Sequence, residues 1–224
     1  MIKPYYEQDG ITIYHGDCRD VLPQLDKVDL VLTDPPYGIG EMVSGTMSKK
    51  RLHKTQYEGF IDSAEYIKEV VIPVIRLCLD MSKRMVITPG SKCLKLYPQW
   101  DSFGVFYQPA SMGMQLWGSG DCQPIIYYGK PYDVGKRIRK CSYVLTEPPS
   151  CNKHPCSKPI NIWKKIIAER ANSSDLVLDP FLGSGTTAVA CKILGRKCIG
   201  IEISEKYCEI AVNRLRQSVM RLEI

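Results

Sequence analysis

No stretch of this chain approaches the ~20 consecutive apolar residues that a membrane-spanning helix needs, although 44% of its 224 residues are hydrophobic. That argues against a helical membrane protein and leaves enough apolar material for one well-buried domain of ordinary size. The opening residues Met1-Ile2-Lys3-Pro4-Tyr5-Tyr6 contain no apolar signal core, so a cytoplasmic protein is expected. No pair among the ten cysteines is spaced C-x-x-C, and a chain with a core of this size needs no disulfide framework, so they are read as reduced thiols. The spacing G-x-x-x-x-G-K-[ST] is also missing, which excludes a P-loop. There is no internal repeat and no low-complexity tract. Cys141, Cys151, His154 and Cys156 are all possible zinc ligands, but structural zinc sites use paired, tightly spaced ligands, so no metal is expected.

The formal net charge is +6 and is unevenly placed. Lys49, Lys50, Arg51 and Lys54 form one basic cluster, and Lys130, Lys136, Arg137, Arg139 and Lys140 form a second that is offset only by Asp133. The rest of the chain is slightly acidic. Two basic patches on a near-neutral body suit phosphate contacts, where sequence-independent affinity for nucleic acid is mostly electrostatic. The plainer reading is a pair of solvated loops.

Two segments carry the chemistry. The apolar run Val28-Asp29-Leu30-Val31-Leu32-Thr33 leads straight into Asp34-Pro35-Pro36-Tyr37-Gly38. Each proline fixes its own φ and pushes the preceding residue into extended geometry, so the Asp34 carboxylate, the Pro35 carbonyl and the Tyr37 ring are held as one array. A carboxylate and a carbonyl can accept the hydrogens of an exocyclic amine, while the ring offers a stacking face. In the second segment the strand Leu176-Val177-Leu178 runs through Asp179-Pro180-Phe181-Leu182 into Gly183-Ser184-Gly185-Thr186-Thr187 and a helix. Glycines there allow positive φ and close approach of backbone to a ligand. About twenty residues on, the strand Cys198-Ile199-Gly200-Ile201 ends in Glu202, where an acid meets ribose hydroxyls in dinucleotide-type folds. Carboxylates at Asp179 and Glu202 favour a sulfonium cofactor with an ammonium and a diol over a pyrophosphate.

The periodicity predicts strands at 11–15, 29–33, 84–88, 105–107, 124–128, 176–178 and 197–203. Helices are expected at 160–170, at 187–194 ended by Gly195, and from the cap Ser204 to about Arg221. Another should follow Asp62, which with Glu65 can cap the apolar positions Ile67 to Cys78, and Pro73 should kink it. Alternating strands and helices imply an α/β fold with a largely parallel, doubly wound sheet that binds ligands beyond the carboxyl ends of its strands.

Together the D-P-P-Y and D-P-F-x-G-S-G-T segments resemble the DNA amino-methyltransferases, in the permuted beta group where the base motif precedes the cofactor motif. That resemblance implies a Rossmann-like S-adenosylmethionine-dependent methyltransferase fold in one domain, residues 1–224, acting on double-stranded DNA. It implies that Asp34, Pro35 and Tyr37 handle the flipped base. It further implies that Asp179, Phe181, Gly183, Ser184, Gly185, Thr186 and Glu202 hold the cofactor, with Asp17 near its adenine, although a plain turn aspartate is nearly as good a reading of Asp17. His154-Pro155-Cys156-Ser157-Lys158-Pro159 resembles the family's H-P-x-x-K-P motif, which sets Lys158 near the methionine end and accounts for His154 without zinc. Residues 91–150 are the candidate recognition insert and 38–59 a second DNA-contacting loop. Adenine N6 is the expected target and cytosine N4 the alternative. An RNA or protein amino-methyltransferase and an idle DNA-binding subunit remain further alternatives, the last opposed by an intact Asp34 and glycine turn. A restriction endonuclease counterpart is a possible partner. No cysteine lies in a nucleophile motif, which argues against a cytosine-C5 enzyme.

Overall fold

The computed structural model describes residues 2–38, 62–107, 122–131, 140–144 and 159–217, with the backbone alone of 56–57, 60–61, 114–115, 118–119 and 218–220. Strands β1 (Tyr6–Gln8), β2 (Ile11–His15) and β3 (Val28–Thr33) open the chain, with the short helix α1 (Cys18–Val21) between β2 and β3. The two-residue pair β4 (Gln56–Tyr57) and β5 (Phe60–Ile61) precedes helices α2 (Ala64–Tyr66) and α3 (Ile72–Met81). Strands β6 (Ser82–Ile87) and β7 (Ser102–Tyr107), the small pair β8 (Met114–Gln115) and β9 (Gly118–Ser119), and β10 (Cys122–Tyr128) and β11 (Tyr143–Val144) follow. Helix α4 (Ile160–Arg170), β12 (Leu176–Asp179), α5 (Thr186–Ile193), β13 (Lys197–Glu202) and α6 (Glu205–Met220) complete it.

Nine strands form one sheet in the order β1-β2-β13-β12-β3-β6-β10-β7-β11. The five strands from β2 to β6 in that order run parallel. Their near-continuous apolar sequences are what burial on both faces demands. Side chains alternate between two cores. Leu30 and Leu32 face Trp163, Ile166, Ala188 and Ala211 on α4, α5 and α6, whereas Val31, Met85 and Ile87 face Ile67, Val74, Ile75 and Cys78. Fully burying such a side chain contributes roughly 1.5–3 kcal/mol, so the β3 core positions pin its register, and a one-residue slip would turn each side chain to the wrong layer. The parallel run puts the carboxyl ends of β2, β13, β12, β3 and β6 along one edge.

Two local expectations change. The α2 cap is Ser63, whose side chain accepts from Tyr66 N at 3.2 Å. Asp62 instead accepts from Gly38 N at 2.6 Å and Tyr37 N at 3.4 Å. Pro35 and Pro36 have no N–H, so those two are the next backbone donors of the 34–38 turn, and a buried donor outside a ladder needs an acceptor. The irregularity of this helix precedes Pro73: Ile67–Val71 forms a wide π turn and α3 begins at Ile72. The irregularity falls where the proline leaves the carbonyl of Glu69, four residues back, without its usual partner. Finally, β7, β10 and β11 extend the main sheet, with β10 antiparallel to β6 and Phe106, Ile125, Tyr127 and Tyr143 in the core. These strands fall within 91–150, the candidate recognition insert.

Among the described residues no helix is long and apolar enough to cross a membrane, and no group of His, Cys, Asp and Glu could hold a metal ion. Cys18, Cys78, Cys93, Cys122, Cys141, Cys191, Cys198 and Cys208 are free thiols. Of the four zinc candidates only Cys141 lies within the described residues.

Candidate active site

Strands β3 and β12 are adjacent and parallel, pairing Val177 with Leu30 and Leu178 with Val31. The two Asp-Pro strand ends therefore meet, at the point where the strand order reverses direction. Nearest neighbours on the same edge are Glu202 from β13, Asp17 after β2 and Thr88 after β6.

Around Asp34 the side chains form a closed ring. Asp34 Oδ1 accepts from Tyr37 Oη at 2.6 Å and from Thr88 Oγ1 at 2.6 Å. Gln123 Nε2 donates to Tyr37 Oη, and also to the Thr88 carbonyl at 3.3 Å. Tyr37 backs directly onto Gly90: a Cβ there would lie 2.6 Å from the Tyr37 Cβ, so only glycine lets the turn approach. Thr88, Gly90 and Gln123 were not expected from sequence. The one signal available was Gln123 itself, a polar residue opening the buried run Gln123 to Tyr128.

The cofactor motif is built just as tightly. Gly183 has φ +54° and a Cβ there would meet nothing within 4 Å, so this turn opens onto free space. Gly185 has φ +84° and starts α5, against Ala211 of α6. Glu202 fixes the turn: it accepts from Gly183 N at 2.7 Å and Ser204 N at 2.9 Å, and burial raises its carboxyl above the ordinary glutamate value. Arg214 of α6 braces the far side, donating to the Ser184 carbonyl at 2.6 Å, Ser184 Oγ at 3.0 Å and Thr186 Oγ1 at 3.2 Å.

Asp179 lies at the end of β12, at the start of the glycine turn. It is 3% exposed and accepts from Thr33 Oγ1, Thr187 Oγ1 and Phe181 N. Trp163 Nε1 in turn donates to Thr187 Oγ1 at 2.9 Å. Burial pushes the Asp179 carboxyl up to about 6 despite these donors. Asp17 caps α1 and chelates its neighbour, taking hydrogen bonds from Arg19 N and from the Arg19 side chain. Those bonds hold its carboxyl below the ordinary aspartate value.

Of the basic residues named from the sequence, Lys130 and Lys140 lie within the described residues. Lys130 is exposed just after β10, whose end lies beside Lys83 and Arg84 at the edge away from Asp34. Lys140 is exposed too, with its carbonyl held by Arg170 at 2.7 Å. Lys49, Lys50, Arg51, Lys54, Lys136, Arg137, Arg139 and Lys158 lie outside the described residues.

The residues present fit a nucleoside-bearing cofactor: an open glycine turn, a carboxylate at the next strand end, and Phe181 half-buried beside them. Comparison with known proteins agrees. The sequence pattern of the DNA methylase family, which spans N6 and N4 enzymes, matches residues 100–213, just over half of the chain. The chain is 27% identical to the type II methyltransferase M.ScaI of Streptomyces caespitosus over 98% of its length and 86% of that protein. It is 29% identical to the DNA adenine methyltransferase YhdJ of Escherichia coli K12, over 94% of its length and 84% of that protein. The crystal structure of an M1.HpyAVI-SAM complex superposes with a TM-score of 0.65 at 25% identity, covering 92% of this chain and all of that one. The chain belongs to the N6/N4 DNA methylase family.

Proposed function

We propose that this DNA methylase transfers a methyl group from S-adenosylmethionine to the N6 amino group of a flipped adenine. The observation that carries the reading is the meeting of the Asp34 ring and the Glu202-held glycine turn on one sheet edge, with Thr33 and Asp179 bonded between them. When bound, the cofactor supplies an electrophilic methyl on sulfur. Gly183, Ser184, Gly185, Thr186 and Phe181 would line it, with Glu202 toward the ribose, and Lys158 and Asp17 are assigned to it by motif position. The amine of a base is a poor nucleophile because its lone pair is delocalised. Asp34 and the Pro35 carbonyl accept its two hydrogens and so favour a tetrahedral nitrogen whose lone pair is directed at the methyl. Tyr37 stacks on the extruded base and offsets part of the flipping cost of a few kcal/mol.

Adenine is favoured over cytosine by the D-P-P-Y sequence and by the adenine specificity in the name of the Escherichia coli relative. The relative named as a type II methyltransferase supports a place in a restriction-modification system, with an endonuclease as the functional counterpart. The test uses PCR-amplified, hence unmethylated, bacterial genomic DNA and tritiated S-adenosylmethionine, followed by digestion to nucleosides. Label should appear in N6-methyladenine and be abolished by Asp34→Ala. Label in N4-methylcytosine would replace adenine by the alternative, and undiminished transfer by Asp34→Ala would remove Asp34 from the chemistry.

A further inference from the structure

Gln123 is an anomaly on physical grounds. It begins the innermost part of β10, is 4% exposed, and is followed only by buried residues through Tyr128. Its Oε1 is buried and has no hydrogen-bond partner. An unsatisfied buried acceptor costs about 1–3 kcal/mol, which an apolar residue at this position would avoid. Some gain must offset that.

The gain lies in the direction of the proton network. Thr88 O, a backbone carbonyl, can only accept. Its 3.3 Å contact with Gln123 therefore fixes which end of the amide faces the ring: it must be the NH₂. An NH₂ group only donates, so the Tyr37 oxygen beside it must accept. The phenol has one proton, which it donates to Asp34 Oδ1 at 2.6 Å. A carbonyl just beyond β6, read through an amide on β10, thus sends the tyrosine proton to the Asp34 carboxylate. Thr88 Oγ1 sends a second proton to the same oxygen.

We infer that Gln123 is a positioning residue: it forces Tyr37 to donate to Asp34, which holds both the carboxylate and the stacking ring in the arrangement that receives the base. This rests on the proposed role of Asp34. The amide itself need not touch substrate.

Three variants test it in single-turnover methyl transfer on PCR-amplified bacterial genomic DNA, with S-adenosylmethionine affinity measured by calorimetry. Gln123→Ala should slow transfer about ten- to a hundredfold and leave cofactor affinity within about twofold, since a hydrogen bond to a charged network is worth about 1.5–3 kcal/mol. Gln123→Glu keeps the shape and supplies the sharper readout. Ionised, the introduced carboxylate accepts the tyrosine proton and takes it from Asp34; protonated, it donates to Tyr37 as the amide does. Among the described residues the ionisable groups facing it are Asp34 and Tyr37, with Asp62 bonded to the Tyr37 amide, and Cys93, Tyr128 and Tyr97, the last pushed up by burial, beyond them. Burial beside a carboxylate raises the new group's pKa, so the variant's rate relative to the native protein should recover as pH falls from about 8 to about 5.5. A deficit constant across that range, or native rates in both variants, would overturn the inference. If Gln123→Ala does not fold, the pH dependence of Gln123→Glu decides alone. Asp34→Ala separates the two levels: if it retains turnover, the reading of Asp34 itself fails, whereas an inactive Asp34→Ala beside unaffected Gln123 variants sinks only the positioning role.

Discussion

Thr33 Oγ1 donates to Asp179 Oδ1 at 2.7 Å, so the residue before the base motif is bonded to the first residue of the cofactor motif. The bond lies between adjacent parallel strands and is buried at both ends. Glu202 then ties the glycine turn to β13. Carboxylates thus brace the site, and the Thr33 hydroxyl links the two motifs beyond the pairing of their strands.

Asp179 should therefore titrate far from an ordinary aspartate. Burial lifts it from 3.8 to about 6 against the pull of Thr187, Thr33 and the Phe181 amide. Across that window the folded protein holds a proton that the unfolded chain has released. The stability this group contributes is fully present below pH 3.8 and is lost as pH rises through about 6. Thr33→Val removes a donor to the ionised form, so the midpoint should move higher still. Carboxyl ¹³C NMR of labelled aspartate in the two proteins measures it, and an unmoved titration in the variant would show that this bond does not hold the charge.

Glu202→Gln should weaken S-adenosylmethionine binding more than removal of a ribose hydrogen bond alone would. The carboxylate accepts from both Gly183 N and Ser204 N, and a carboxamide has one acceptor oxygen for those two donors. Calorimetry should register at least about a tenfold weakening, the equivalent of about 1.4 kcal/mol. Unchanged affinity would detach Glu202 from the cofactor.

Much of this architecture was legible locally. Helix α4 spans Ile160–Arg170 as its pattern predicts, and both motif strands stand out as apolar runs ending in Asp-Pro. What escaped were partners far apart in the chain. Thr33 finds Asp179 across 146 positions, Gln123 finds Tyr37 across 86, and Thr88 finds Asp34 across 54. No periodicity marks such pairs, because strand order rather than spacing brings them together. Asp62 shows the converse: its local signal was a helix cap, and the unpaired amides of a proline-rich turn prevailed over it.

The basic residues should differ in their contribution to DNA affinity. Lys130 emerges at the sheet edge away from Asp34, so Lys130→Ala should leave the dependence of log affinity on log salt unchanged. Neutralising Lys49, Lys50, Arg51 and Lys54, which follow the base motif in sequence, should flatten the slope by about 0.9 for each duplex phosphate that the protein no longer neutralises. Arg137, Arg139 and Lys140 together provide the comparison for the second cluster. Titrations at four salt concentrations are enough, and a flattened slope for Lys130→Ala alone would show that DNA wraps farther round the sheet than its catalytic edge.

The hydroxyl and the ring of Tyr37 should prove separable. The hydroxyl donates to Asp34 Oδ1 and accepts from Gln123, so Tyr37→Phe removes a bond to the Asp34 carboxylate worth about 1.5–3 kcal/mol and, with Asp34 in its proposed role, should slow methyl transfer by about tenfold or more. DNA affinity should survive in that variant because the stacking face is intact. Tyr37→Ala loses the ring as well, a further ~1–3 kcal/mol, and should weaken DNA binding as well as transfer. A mismatch opposite the target base lowers the cost of extrusion. It should restore part of the binding lost by Tyr37→Ala and none of the rate lost by Tyr37→Phe, whose defect lies in the carboxylate's hydrogen bonds. Single-turnover rates and affinities on matched and mismatched duplexes distinguish these cases. Native transfer by Tyr37→Phe would make the phenol proton irrelevant to Asp34, and equal defects in both variants would deny the ring any stacking role.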